Sequence, residues 1–239
     1  MNGITAIMSS YERPGNMQRQ YNCLQAQSVP PKDILMFHNQ GSKGIADLPV
    51  KTIRANHNFL YYGRFAMALL AKTEFVCVFD DDTIPGESWF ANCLETMRDH
   101  EGLLGTVGVT IYRSGDTFKW KKTGWCKPNQ NVVEVDFVGH CWFFKREWLW
   151  ALWRESIPCW SNGEDIFFSS MVQKYLGLNT YVPPHPVDHK EYWGSIDGEL
   201  GGDPVASYKR NPNHYDQRIQ CIRTAIENGW NLLNVEAAS

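Results

Sequence analysis

Apolar runs separated by polar turns recur along the first hundred residues at the spacing of alternating strands and helices. Ile4-Thr5-Ala6-Ile7-Met8 reads as a strand closed by the polar turn Ser9-Ser10-Tyr11-Glu12-Arg13, after which Met17, Tyr21 and Leu24 recur at helical spacing. Ile34 to Phe37 predicts a second strand, closed by His38-Asn39-Gln40-Gly41-Ser42, and Val50 to Arg54 a third; the stretch from Asn56 leads into a helix running to about Lys72. Phe75-Val76-Cys77-Val78-Phe79 is an unbroken apolar, mostly β-forming run, the pattern of a strand buried on both faces at the centre of a parallel sheet. Trp89, Phe90, Cys93, Leu94 and Met97 then predict a helix from Gly86 to Arg98 that packs back on that sheet.

The second half is less regular. Leu103 to Tyr112 reads as a strand interrupted by glycines, and Ser114 to Gln130 as a polar loop carrying Trp120 and Trp125. Val132 to Val138 alternates as a strand with Glu134 and Asp136 on one face; Gly139-His140 is expected to break it before Cys141-Trp142-Phe143-Phe144, and Arg146 to Glu155 looks helical. Glu164 and Asp165 open a helix that continues through Met171, Val172, Tyr175 and Leu176, and Asn179 to Val182 forms a short strand before a loop through His185 and His189. Tyr192-Trp193-Gly194 and the glycine-rich run to Gly202 resemble a mobile flap, and Asn213 to Asn228 reads as a terminal helix. Strands alternating with helices imply an α/β fold: an open mixed sheet, mostly parallel, flanked by helices on both faces.

Chemistry enters with Asp80-Asp81-Asp82, directly after the apolar run. Side chains alternate along an extended segment, so Asp80 and Asp82 leave one side and Asp81 the other, at the carboxyl end of a central strand, where open α/β sheets bind ligands. Adjacent carboxylates repel one another, and an all-oxygen cluster suits Mg2+ or Mn2+, completed by water and substrate phosphate. The structural alternative is a solvated acidic turn with Thr83 or an aspartate capping the helix that Pro85 introduces. Ser9, Tyr11, Arg13 and Asn39, at the ends of the first two strands, are candidate nucleotide contacts. Arg64 is placed to hold a diphosphate oxygen or one of the metal-site carboxylates. Glu164 and Asp165 fit the macrodipole of their helix, but Trp160 and the Gly163 turn also offer the desolvation that raises a general base. His189, and less so His185, could reach the metal as a nitrogen ligand.

Composition bounds the partners. The chain has 239 residues, 43% hydrophobic and 13% aromatic, with 23 Lys and Arg against 26 Asp and Glu. A net charge of −3 gives no electrostatic reason for nucleic acid or an anionic membrane, and the short basic runs Lys119 to Lys122 and Lys145-Arg146 read as solvated faces. The seven cysteines include no Cys-x-x-Cys pair, which fits a reducing compartment and offers no zinc site. Without a signal-peptide pattern or an apolar run of about 20 residues, the chain is expected to be cytoplasmic.

Taken in order, these residues resemble the GT-A glycosyltransferases, which use nucleotide-sugar donors. The resemblance covers roughly residues 3 to 193: the opening strand ends in Ser9 to Arg13, Asn56 and Arg64 precede the third unit, Phe79-Asp80-Asp81-Asp82 stands in the DXD position, Glu164-Asp165 in the downstream acidic pair, and His189 falls six residues after Pro183. The layout resembles the large family-2 group, while the aspartate triplet with Asn56 and Arg64 resembles the exostosin-type branch. The resemblance implies a Rossmann-like GT-A catalytic domain over residues 1–205, with a nucleotide-binding half to about residue 100, an acceptor half after it, and a helical appendage over 206–239. It implies a Mn2+ or Mg2+ ion held by Asp82 with Asp80 and His189, and a donor, UDP-sugar favoured, contacted by Asp80, Asp81, Asn56 and Arg64. Asp165, with Glu164 beside it, is implied as the base that takes the proton from a glycan, lipid or protein acceptor, inverting the anomeric centre; exostosin-type enzymes retain it instead. Trp142 and Trp160 are candidates for stacking on a sugar ring.

Two rival readings use the same residues. A haloacid-dehalogenase-type phosphatase also places aspartates two apart at a strand end, but its threonine is expected two places after the second, and Thr83 is adjacent. A catalytically inactive sugar-nucleotide-binding module would bind nucleotide with metal and release no nucleoside diphosphate.

Overall fold

The computed structural model describes residues 3–40, 47–198 and 202–234. Its N-terminal half follows the alternation in the sequence: β1 (Ile4–Ser10), α1 (Pro14–Gln25), β2 (Asp33–His38), β3 (Lys51–Arg54), α2 (Gly63–Ala68), β4 (Phe75–Phe79) and α3 (Trp89–Asp99). Then come β5 (Gly102–Ser114), β6 (Thr117–Gly124), β7 (Val133–Val135), β8 (Phe137–Lys145), α4 (Leu149–Leu152), α5 (Glu164–Leu176), β9 (Asn179–Val182), α6 (Ser207–Arg210) and α7 (His214–Glu227). The strands form one sheet in the order β3-β2-β1-β4-β8-β5-β9-β7, with β6 paired to β5. It is a mixed α/β sheet with helices around it.

β3, β2, β1 and β4 run parallel, and β8 enters antiparallel beside β4. The apolar run therefore sits at the junction of the parallel and antiparallel parts, with Val76 to Phe79 fully buried. Its carboxyl end lies beside the end of β1, because Met8 pairs with Phe79. That register delivers Asp80 to Asp82 next to the Ser9 to Arg13 turn.

Several segments depart from the sequence expectation for identifiable reasons. Ser114 to Gln130 is not a loop throughout: Gly115-Asp116 closes a two-residue hairpin, with Gly115 at φ 60, and β6 returns along β5 with Ser114 opposite Thr117. Lys119 and Lys121 face solvent while Phe118 is buried, so an edge strand covered on one face reads as polar. The strand expected over Val132 to Val138 divides at Asp136, whose carboxylate accepts from the backbone N–H of Ile111 and Leu233 (2.5 and 2.8 Å). Gly139-His140 does not end a strand. β8 runs through it, and the pairs Gly105–Trp142 and Val107–Gly139 leave one extra residue on β8, a bulge. β5 keeps its glycines because a side chain at Gly108 would put Cβ 2.3 Å from Val182 Cγ2. The helix expected over Arg146 to Glu155 is a 3-10 turn (Arg146–Trp148) followed by α4, and the one expected to Lys72 ends at Ala68.

The main core packs around β1, β4, β5 and β8; a second cluster joins β6, the start of α5 and α7 through Phe118, Ile166, Ile219, Ile222 and Trp230. The flap expected from Tyr192 is anchored at its start, where the Trp193 indole N–H donates to Pro186 O (2.7 Å) and Gly194 N–H to His185 Nε2 (3.1 Å). Residues 199–201 of that run lie outside the described residues. Among the described residues no helix is long and apolar enough to cross a membrane.

His185 is fully buried and donates from Nδ1 to Pro183 O (2.8 Å), so it sits neutral, its pKa pushed down by burial from the ordinary 6.5 to about 4. The unfolded chain takes up this proton first as pH falls. Stability from His185 is therefore complete above about pH 6.5 and lost progressively towards pH 4, at a cost of about 3 kcal/mol. Denaturant midpoints measured at pH 7 and pH 4 should fall further for the wild type than for His185→Gln by about that amount. Parallel declines would mean that His185 protonates without disturbing the fold.

Candidate active site

The carboxyl ends of β1, β2 and β4, the middle of β8, the start of α5 and the α6–α7 segment enclose a cleft of about 650 Å³. At its floor Asp80 Oδ1 pairs with Arg64 Nη1 (3.0 Å), Asp81 Oδ1 with Arg13 Nη1 (2.5 Å), and Asp82 Oδ1 faces His140 Nδ1 at 3.5 Å. Ligand atoms of Asp80, Asp82 and His140 all lie within 4.8 Å of one another. Two carboxylates and an imidazole at that separation fit a divalent ion that accepts oxygen and nitrogen ligands.

His140 joins the cluster because it adopts φ 63, a left-handed conformation rare for a residue with a side chain. Its carbonyl accepts from Asp80 N–H (3.0 Å) and Thr83 Oγ1 (2.9 Å), and its ring packs edge-on against Trp125 at 4.2 Å. His189, the histidine singled out in the sequence, is exposed and bonded to Glu191 (2.9 Å), outside this cluster, and His185 is committed to the fold. A histidine inside a strand gives no loop signal. The only hint in sequence was the Gly139-His140 interruption of an apolar run.

The three aspartates are not electrostatically equal. Burial pushes Asp80 up to about 6 against the pull of Arg64, and burial also raises Asp81 despite Arg13. At Asp82 burial is outweighed by the hydrogen bond and charge of His140 and by Arg13, leaving its pKa below the ordinary value. Asp82 is the most firmly anionic of the set.

Arg64 links this cluster to the acidic pair. Its Nη2 holds Glu164 Oε1 (2.9 Å) while Nη1 holds Asp80, and its carbon lies 4.8 Å from the centre of the Trp142 ring. Burial, with the neighbouring Asp165 charge, pushes Glu164 up to about 7. Gly163 starts α5 at φ 78, and any Cβ there would meet Cys221 Sγ at 2.6 Å, so the turn delivering the pair requires glycine. Asp165 is gripped at both oxygens by Arg218 of α7 (Nη1–Oδ1 3.1 Å, Nη2–Oδ2 2.8 Å). A Cβ at Gly139 would stand 3.5 Å from Oδ2, so the absent side chain leaves that oxygen open to the cleft. The sequence offered no sign of Arg218, which reaches the site only through the packing of α7 on α5.

Of the other expected contacts, Ser9, Tyr11, Arg13 and Asn39 line the cleft. Asn39 accepts from Phe59 N–H (2.8 Å) and donates to Asn58 (2.6 Å), which donates to the Tyr11 hydroxyl (3.2 Å). Asn58 takes the lining position expected of Asn56, which is exposed and turned to His57 (2.9 Å). Arg13 also holds Asp203 through two nitrogens (2.6 and 2.8 Å). Trp142 is buried, its indole N–H donating to Val138 O (2.9 Å), and it lines the cleft with Arg64 over its ring. Trp160 is 51% exposed, packs edge-on against Tyr62, and does not line the cleft.

Residues 5–153 match the family described as Glycosyl transferase family 2. No curated protein matches the chain in sequence. Among solved structures it is similar to S. aureus TarS, with a TM-score of 0.54 and 13% identity. That similarity covers 80% of this chain and 38% of the TarS chain, so it concerns the fold.

Proposed function

Because the chain belongs to glycosyl transferase family 2, we propose that it moves a sugar from a nucleotide-sugar donor, UDP-sugar before other bases, to an acceptor hydroxyl with inversion of the anomeric centre. The observation that carries this reading is the Asp80, Asp82 and His140 cluster on the floor of a cleft that is also lined by the Arg218-bound carboxylate of Asp165. The catalytic unit is residues 1–205, and α7 of the segment that follows contributes Arg218 to it. Family membership removes the basis for a haloacid-dehalogenase-type phosphatase.

Asp80, Asp82 and His140 would hold a divalent ion, Mn2+ or Mg2+, which would supply neutralising charge for the departing nucleoside diphosphate. Ser9, Tyr11, Asn39 and Asn58 form the end of the cleft that receives the nucleotide, with Arg13 between them and the aspartates. The acceptor hydroxyl approaches the anomeric carbon from the opposite side and gives its proton to Asp165 Oδ2. As the new C–O bond forms, the bond to the diphosphate breaks and its electron pair leaves with the nucleotide. Arg218 fixes the rotamer of Asp165 through its two hydrogen bonds, and Arg64 fixes the spacing between the metal-binding and acidic groups. The acceptor belongs to the glycan, lipid or protein hydroxyls.

A donor screen tests the reading: hydrolysis of UDP-, GDP- and TDP-sugars with Mn2+ or Mg2+, followed by release of nucleoside diphosphate. Metal-dependent turnover of at least one UDP-sugar is expected. Tight, metal-dependent nucleotide binding with no turnover of any donor would point to the inactive binding module instead.

A further inference from the structure

The cleft has two unlike ends. The sheet order places the β1 and β2 turns on one side of Asp80 to Asp82 and β5 with its hairpin partner β6 on the other. Asp165 and Gly139 stand between the aspartates and the β6 end. If nucleotide occupies the first end, the hydroxyl that meets Asp165 must come from the second.

That second end is aromatic. Trp120 and Lys122, two apart on β6, both line the cleft, as the strand period requires. Tyr215 of α7 stands against Trp120 with ring centres 5.0 Å apart and planes at 38°. Its hydroxyl donates to Phe118 O (3.1 Å), which fixes the ring although the residue is 48% exposed. Large, rigid aromatic surface left at the mouth of a polar cleft is costly to keep in water unless something covers it. Hydrogen-bonding groups stand beside that surface: Lys122 is two residues from Trp120 on β6 and His214 adjoins Tyr215, and both line the cleft.

From this juxtaposition we propose that Trp120 and Tyr215 form an acceptor subsite for a saccharide, so that the hydroxyl taken up by the transfer belongs to a sugar ring. A pyranose has an apolar face of axial C–H groups that lies flat on an aromatic ring, and equatorial hydroxyls at its edge that seek donors and acceptors. The β6 end presents both. An acyl chain would desolvate the Lys122 ammonium beside Trp120, which is unfavourable. The proposal rests on the transfer reading for the direction of approach and adds the chemical class of the acceptor.

Saturation-transfer NMR on the full chain tests it, with methyl glycosides of glucose, galactose and N-acetylglucosamine as probes and octanol and a serine-containing peptide as the lipid and protein arms. At least one glycoside is expected to receive saturation, strongest at its axial ring protons, and to bind about tenfold more weakly to Trp120→Ala, or about 1.4 kcal/mol. Trp120 also packs on the second core, so Tyr215→Ala, at an exposed position, gives an independent reading with the same expected loss. Undiminished glycoside signal in both variants overturns the proposal. So does transfer to octanol or the peptide in place of the glycosides, or to none of the probes. Glycoside binding that is lost in the variants while no UDP-sugar turns over would leave the subsite standing and sink the transfer reading.

Discussion

Asp82→Ala is expected to lower metal-dependent turnover by about a thousandfold or more, equivalent to roughly 4 kcal/mol of transition-state stabilisation. Asp82 bears this weight because its neighbours are compromised: Asp80 is raised to about 6 by burial and shared with Arg64, and Asp81 is turned to Arg13. Asp82, facing His140 and kept ionised, supplies the charge that holds a cation. Nucleoside diphosphate release measured across a Mn2+ titration checks this, with Asp82→Asn preserving shape while removing charge. Wild type stripped of metal by chelation should fall to the level of the variant. If the stripped enzyme kept full activity, the aspartate rim would have some other purpose.

Asp165→Asn is expected to reduce transfer to acceptor by a factor of 10² to 10⁴, roughly the range for loss of a positioned base, while metal-dependent binding of UDP persists. The variant also strands Arg218, which is buried beside Asp165. Removing one partner of such a pair costs about 3–5 kcal/mol of stability, so rates need comparison on protein shown to be folded by its melting curve. Glu164→Gln is the necessary companion. Burial pushes Glu164 up to about 7, near the value suited to a general base, whereas both oxygens of Asp165 are already engaged by Arg218. Should Glu164→Gln abolish transfer and Asp165→Asn leave it intact, the proton goes to the glutamate and Asp165 becomes an anchor for α7.

The N-terminal half was legible because each of its elements announces itself locally. β4 is an uninterrupted apolar run with its polar groups immediately after it, and a parallel strand buried on both faces must read that way. β6 hid because an edge strand buries one face only, although the alternation of Phe118, Lys119, Trp120 and Lys121 and the Gly115 turn were available as signals. His140 hid for a different reason. Its contact with Asp82 depends on a positive φ at a bulge between two neighbouring strands, and no pattern within β8 encodes that register. Arg218 and Tyr215 belong to a helix whose amphipathic spacing is plain, but which face of it meets the cleft is decided by α5 and β6, far away in sequence. Among the aromatics, Trp120, read only as part of a polar loop, lines the cleft as Trp142 does, because β6 brings it there.

The guanidinium that fixes Asp165 lies 53 residues beyond it, in the last described helix. During synthesis the ribosome therefore releases every strand of the sheet, and both members of the acidic pair, before the group that orients the reactive carboxylate has emerged. On the transfer reading, a nascent or clipped chain lacking α7 would hold the β1, β2 and β4 ends of the cleft without Arg218 to align Asp165. On the same reading, binding and turnover are separable by chain length, and proteolysis near residue 210 is expected to lower transfer more than nucleotide binding.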